Sequence, residues 1–342
     1  MRAAVMRNKR IVADTLPDPV PGSGEVLART LACGICGSDL HALVHAEKMM
    51  ASMREAGAPA VPNLLGDVVM GHEFCAEIVD FGPNTTRRIP AGRRVVSMPL
   101  LFRGTRIHAV GYSDEVPGGY GELMALSEAL VLEVPNGLAT EHAATTEPMA
   151  VGVHAVAKAS LGKRDAPLVV GCGPVGLAVI AGLRLAGAET IVAADYSPLR
   201  RRLAAQLGAT AVVDPRERPA VDAWREQAGA RNAVIFECVG VPGLIDSIMR
   251  DAPPQARIVV AGVCMEADRI RPMLGIHKEL SVQFVLGYTP EEFARTLRAL
   301  AEGEIDAAPL ITGRTGVAGV ADAFATLAQP ESHAKILVEP WR

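Results

Sequence analysis

Two textures of hydrophobic patterning divide the chain. Up to about residue 147, short β-branched runs such as "AAVM", "EVLART", "CAEIVDFG", "RRVVSMP" and "ALVLEVP" alternate with proline and glycine. Brief, punctuated runs of this kind predict a β-rich unit of short strands. The segments "LGDVVMGHEF" and "PGGYGELMA" read as loops between those strands. The stretch from His41 to Asn63, "HALVHAEKMMASMREAGAPAVPN", reads as a helical excursion because of its Ala, Met and Glu content. From about Pro148 the texture changes. "PMAVGVHAVAKA" opens with a proline suited to the first turn of a helix. After it, apolar runs ("APLVVGCG", "TIVAADY", "TAVVD", "AVIFECVG", "ARIVVAGV", "LSVQFVLG") are separated by helical patterns such as "PLRRRLAAQLGA". That alternation predicts βαβ units on a buried parallel sheet. "PEEFARTLRALAEG" then reads as an amphipathic helix and "HAKILVEP" as a last strand. There is no internal repeat and no low-complexity linker.

Composition narrows the class without naming a chemistry. The 342 residues suffice for two ordinary domains, and 49% apolar with 21% charged residues is the profile of a globular chain with a sizeable core. A net charge of −4 without lysine or arginine runs argues against a nucleic-acid partner, and the triplet Arg200 to Arg202 reads as a solvated helix face. The uncharged run Ala166 to Leu183 just reaches membrane-spanning length, but glycine and proline interrupt it, so it reads as strand, turn and helix. The N-terminus lacks the apolar stretch of a signal peptide. Six cysteines, at 33, 36, 75, 172, 238 and 264, are too sparse for a disulfide scaffold. The expectation is a cytoplasmic protein with no membrane partner.

Candidate chemistry begins with "LVVGCGPVGLAVI". Gly171, Gly173 and Gly176 form a G-x-G-x-x-G turn between a strand and a helix, with Pro174 and Val175 inside it. The first glycine makes the tight turn, the second admits a pyrophosphate to the backbone, and the third lets helix and strand pack closely. The helix N-terminus offers free N–H groups to the phosphates. The following strand ends in Asp195, near the spacing of the carboxylate that holds a ribose 2′-hydroxyl. A carboxylate there repels an extra phosphate, so NAD is expected rather than NADP. Arg200, five residues on, is placed to accept a phosphate if the aspartate turns away. A helix-capping Asp on a nucleotide-free domain is the plainer alternative.

The stretch "CGICGSDLH" raises a separate question: a redox pair, half of a structural zinc knot, or one arm of a reactive metal centre. A redox pair belongs at a helix N-terminus in a βαβ setting, and this pair lies in the β-rich third. A four-cysteine knot needs a second CxxC, and none exists. Cys33, Cys75, Cys172, Cys238 and Cys264 read as inert hydrophobes. Cys36 has company in His72 and Glu73 of "GHEF" and in Glu147 of "TEPMAVG". Thiolate, imidazole and carboxylate are all zinc ligands, and a catalytic zinc keeps an open position. The plain alternatives are a helix-start carboxylate for Glu147 and a core-edge ion pair for Glu73.

Taken together, "CGICGSDLH", "GHE", "TEP" and "GCGPVG" occur in the order and spacing of the zinc-dependent medium-chain dehydrogenase/reductase superfamily. The chain most resembles the polyol, sorbitol, butanediol and threonine dehydrogenase branch, and the resemblance covers essentially its whole length. It implies an α/β protein: a GroES-like β-rich catalytic domain (residues 1–148 and 290–342) around a doubly wound Rossmann domain (residues 149–289). It implies Cys36 and His72 as zinc ligands and either Glu147 or Glu73 as the third, with Glu147 preferred. Asp39 is expected to orient His72, and Ser38 and His41 to form a proton relay through the cofactor ribose. The four clustered cysteines that hold a second, structural zinc in many relatives are missing between Val96 and Gly119, so one catalytic zinc is expected. The resemblance further implies hydride transfer between NAD(H) and a secondary alcohol or polyol and its ketone, in a homodimer or homotetramer. A zinc-free enone or quinone reductase of the same superfamily, or an inactive nucleotide-binding sensor, are the rival readings.

Overall fold

The two textures become two units, each built around its own main sheet. In the computed structural model, which describes every residue except 136 and 330, the β-rich unit centres on a mixed sheet. Its strands run in the order Val131–Glu133, Arg94–Ser97, Glu73–Phe81, Glu25–Gly34, Lys335–Val338 and Ile311–Thr315, with Leu123–Ser127 also paired to Glu25–Gly34. The C-terminal strand enters it antiparallel, setting Leu337 opposite Gly34 and Val338 opposite Cys33. Strands from both ends of the chain therefore share one sheet, and the intervening segment builds a second one.

That segment forms a six-stranded parallel sheet in the order Ala211–Val213, Val192–Ala194, Asp165–Val170, Asn232–Glu237, Arg257–Val260 and Ser281–Phe284. The first strand in sequence is central and the order reverses beside it, which is the doubly wound arrangement with its ligand crevice at the strand C-termini. The interior strands are almost wholly buried, as their continuous apolar runs require. Helix Thr146–Ala159 joins the two units. It crosses helix Pro174–Leu185 at backbone contact, since a Cβ on Gly152 would lie 2.2 Å from the carbonyl carbon of Ala178. Helix Pro290–Ala301 packs on the same joining helix, and Glu292 Oε2 lies 2.7 Å from His154 Nδ1.

Three local expectations need correction. The helical excursion starts at Gly37 rather than His41 and ends at Glu55 instead of reaching Asn63, with a kink at His45. Its early start comes from Asp39, whose carboxylate reaches back to the Cys36 N–H at 3.0 Å and so caps the first turn. Gly57 at positive φ and the prolines at 59 and 62 end it. The "GHE" segment is only partly loop: Val68–Val69 pairs with Arg2–Arg7, and Glu73 opens a nine-residue strand. In "PGGYGELMA" a strand begins at Leu123. Among the described residues no helix is long and apolar enough to cross a membrane.

Candidate functional site

Cys36 is the cap of the kinked helix, at the exit of strand Glu25–Gly34. His72 and Glu73 stand at the mouth of the neighbouring strand, and both are buried. The register of those two strands, with Gly34 opposite Glu73, brings the residues together. One ligand atom from each of Cys36, His72 and Glu73 lies within 4.8 Å of the others. Gly71, at φ +102°, makes the turn that delivers His72; a side chain there would meet the Tyr120 ring at 2.7 Å and Cys33 Sγ at 2.8 Å. Cys33 is buried against that turn, and burial pushes its thiol well above the ordinary value. It is packing, and not a redox partner of Cys36.

Asp39 has no exposed surface and collects donors. Its Oδ2 accepts from the Cys36 N–H and, at 2.6 Å, from the Tyr120 hydroxyl. Its Oδ1 lies 3.4 Å from His72 Nδ1 and 3.0 Å from the Tyr112 hydroxyl, which is also 2.7 Å from Ser38 Oγ. The Tyr112 ring leans on the His72 ring at 5.1 Å between centroids. Burial opposes charge on both Asp39 and His72, yet their mutual attraction holds the Asp39 carboxyl low and the His72 imidazole high.

Glu73 is paired to Lys335, which has 1% exposure on the last strand. The ammonium donates to both Glu73 oxygens, at 2.7 and 2.5 Å, and to the Ile35 carbonyl at 3.2 Å, so its three hydrogens are committed. Glu147, in the first turn of the joining helix, lies outside the 4.8 Å cluster. Burial, with Glu73 nearby, pushes its carboxyl up to about 7, against the pull of His72 and a hydrogen bond with Tyr288. His41 is half-buried and stacks on His45 at 6.4 Å; burial and that neighbour lower its basicity.

The donor set fits a zinc ion. A thiol, an imidazole and a carboxylate converge, and His72 Nδ1 faces the buried Asp39, which leaves the other ring nitrogen for an ion. Tyr112, Tyr120, Tyr288 and Lys335 were not anticipated. Only Lys335 carried a signal, being a charge inside the apolar run "AKILV".

The nucleotide turn follows strand Asp165–Val170 as expected. Gly171 has φ +91°, and a Cβ on Gly176 would lie 1.8 Å from the Gly171 carbonyl oxygen. Gly173 caps the helix that begins with Pro174 and Val175, and a side chain there would approach only Arg200, at 3.8 Å. That opening is where a pyrophosphate has room to meet the backbone. Asp195 accepts from the N–H groups of Cys172 and Ser197 at 2.7 and 2.8 Å. Arg201 and Arg216 are both committed to Asp214, whereas Arg200 Nε has no partner.

Comparison with known proteins agrees with this geometry. Residues 22–136 match the family model "Alcohol dehydrogenase GroES-like domain", and residues 174–302 match "Zinc-binding dehydrogenase". The chain is 32% identical over 353 residues to (R,R)-butanediol dehydrogenase of Bacillus subtilis, covering 99% of this chain and 100% of that one. The crystal structure of the B. subtilis 2R,3R-butanediol dehydrogenase superimposes with a TM-score of 0.84 at 30% identity over 99% of both chains. L-threonine 3-dehydrogenase of Streptomyces coelicolor is 31% identical over 328 residues, 92% of this chain and 91% of that one. A Sinorhizobium meliloti structure bound to NADP matches with a TM-score of 0.83 at 27% identity over 99% of both chains. The chain belongs to the zinc-type alcohol dehydrogenases of the medium-chain dehydrogenase/reductase superfamily, oxidoreductases that use zinc and a nicotinamide cofactor to move hydride between small alcohols and ketones.

Proposed function

We propose that the chain is an NAD-dependent dehydrogenase of a secondary alcohol or polyol, with one catalytic zinc held by Cys36, His72 and Glu147. The observation that carries this reading is the convergence of Cys36, His72 and Glu73 within 4.8 Å, with Glu147 near enough to feel the charges of His72 and Glu73, and with the buried Asp39 behind them. Glu147 is preferred to Glu73 as third ligand because Lys335 already occupies both Glu73 oxygens. Glu73 then serves as a fixed negative charge beside the ion. The bound metal and nicotinamide supply, respectively, Lewis acidity toward the alcohol oxygen and a hydride acceptor for its carbon.

The protein's own groups do the rest. Asp39 fixes the tautomer and tilt of His72. Ser38 is the group that would take the substrate hydroxyl proton as it gives up its own, and His41 is the exit of that relay toward solvent. Gly171, Gly173, Pro174, Val175 and Gly176 bind the pyrophosphate through backbone N–H groups, with Arg200 as counter-charge. Asp195 receives the ribose hydroxyls, and its charge disfavours a 2′-phosphate; with Arg201 and Arg216 tied to Asp214, NAD is favoured over NADP.

The remaining assignments belong to the same proposal. The catalytic domain comprises residues 1–148 and 290–342 around a nucleotide domain of residues 149–289. No structural zinc is needed, because the lobe after Met98 is a hairpin, Leu100–Arg103 with Arg106–Ala109, tied down by Arg103 to the buried Glu25 at 2.8 Å. Strand Ser281–Phe284 is an edge exposed along its whole length, which supports assembly into a homodimer or a homotetramer. Six cysteines without a disulfide suit the cytoplasm.

The test is a panel of secondary alcohols, diols and polyols with zinc-loaded protein, reading NADH or NADPH formation at equal cofactor concentration. Turnover of at least one vicinal diol or polyol with NAD, lost with the metal, is expected. Metal-free protein that reduces enones at full rate would sink the reading.

A further inference from the structure

Tyr112 lies outside every motif the sequence analysis singled out, yet its hydroxyl stands between two groups of the site. Its oxygen is 2.7 Å from Ser38 Oγ and 3.0 Å from Asp39 Oδ1. Each contact needs a hydrogen, and a phenol has one. Asp39 decides where that hydrogen goes. It already receives the Cys36 N–H and the Tyr120 hydroxyl on Oδ2, and His72 Nδ1 faces Oδ1. A carboxylate so surrounded only accepts, so the contact at Oδ1 takes the phenolic hydrogen. The short contact to Ser38 is then left for the hydrogen of Ser38 itself.

We propose that Tyr112 is a positioning residue that accepts the Ser38 hydroxyl hydrogen and so turns an Oγ lone pair toward the substrate. This rests on the proposed alcohol dehydrogenase reading for its consequence, though not for its geometry. In alcohol oxidation Ser38 Oγ gains the substrate proton as its own hydrogen swings from Tyr112 and passes on toward His41, so before the step Oγ must face the reacting hydroxyl as an acceptor; a serine whose own hydrogen points into the cleft would present a donor there instead. Asp39, through Tyr112, thereby sets the polarity of Ser38 as well as the tautomer of His72. One buried carboxylate orients both residues that flank the substrate oxygen.

Neutron diffraction from crystals of the zinc-loaded enzyme exchanged into deuterated buffer tests the proton placement without any turnover. The expected map has the Tyr112 deuteron on the line to Asp39 Oδ1 and the Ser38 deuteron on the line to Tyr112; a Ser38 deuteron pointing into the cleft overturns the proposal. In parallel, Tyr112→Phe keeps the ring against His72 and removes only the oxygen. It should lower kcat for oxidation about tenfold, with KM, zinc content and cofactor affinity within about twofold. The double variant Ser38→Ala/Tyr112→Phe should be no slower than Ser38→Ala, since the two act as one unit. Additive losses, or an unchanged kcat in Tyr112→Phe, overturn it. Wild-type protein inert toward every alcohol would refute the functional reading, while the neutron map would still decide the role of Tyr112.

Discussion

The glycine turn proposed to hold the dinucleotide is made within one continuous stretch, from strand Asp165–Val170 through Arg200, and its shape rests on glycines. The proposed metal pocket is made from side chains drawn from both ends of the sequence, Cys36 to Lys335, and nearly every one is buried and ionisable or hydroxylic. The first site needs space, which glycine provides by omission. The second needs compensating charge, because each buried ionised group is costly until a partner meets it. Damage to the two should therefore look different: steric exclusion at the turn, uncompensated charge in the pocket.

The largest effect is expected for Cys36→Ala. Loss of the thiolate should abolish stoichiometric zinc, read by plasma emission, and lower kcat/KM by about a thousandfold, or about 4 kcal/mol of barrier. Zinc and turnover both retained would break the comparison outright. Next is Lys335→Met, which strands Glu73 without its cation. Urea unfolding of the metal-free protein should show a loss of about 3 kcal/mol, at the low end for a broken buried pair. Adding zinc should recover part of it, because the ion supplies positive charge to the same pocket.

At the turn, Gly176→Ala should cost about 2 kcal/mol by overpacking against the Gly171 carbonyl. Its mark is a weakened NADH fluorescence titration with normal zinc content, the reverse of Cys36→Ala. A smaller change is expected for Asp195→Ala, which should shift the ratio of kcat/KM for NAD over NADP about tenfold toward NADP. An unchanged ratio would deny Asp195 its role in cofactor choice.

The smallest effect concerns Asp165, at the far end of the nucleotide sheet from the turn. Burial would raise its carboxyl, but hydrogen bonds from the Gly162 N–H, Asn232 and Arg257 outweigh that and hold it low. A carboxyl lowered in the folded state stabilises it above the ordinary carboxylate range, and that contribution is lost as pH falls through the folded value. Asp165→Asn should therefore melt slightly earlier at pH 7 and show a shallower acid limb in melting temperature against pH.

The same contrast governs what could be read from the chain. The geometry of the turn was legible in the sequence, because Gly171, Gly173 and Gly176 lie at spacings fixed by one strand, one turn and one helix. The pocket was legible only through a resemblance that joins separated motifs. Tyr112 and Tyr120 are single aromatics in a loop, and no local periodicity announces that they point at Asp39. Lys335 does break an apolar strand, but its partner Glu73 is named only by strand pairing across the sheet. The start of the kinked helix is not legible in the sequence because Gly37 and Ser38 are weak helix formers, and nothing local announces that the Asp39 carboxylate turns back to cap them.

The close crossing at Gly152 has a mechanical meaning. Glu147 sits in the first turn of the joining helix, and that helix is bolted at backbone contact to the helix that begins at the glycine turn. Cys36 and His72 ride instead on the sheet of the other lobe. The joining helix also packs on strand Glu73–Phe81, so one methyl group added at Gly152 would strain the seat of the glycine turn and the strand that opens with Glu73 together.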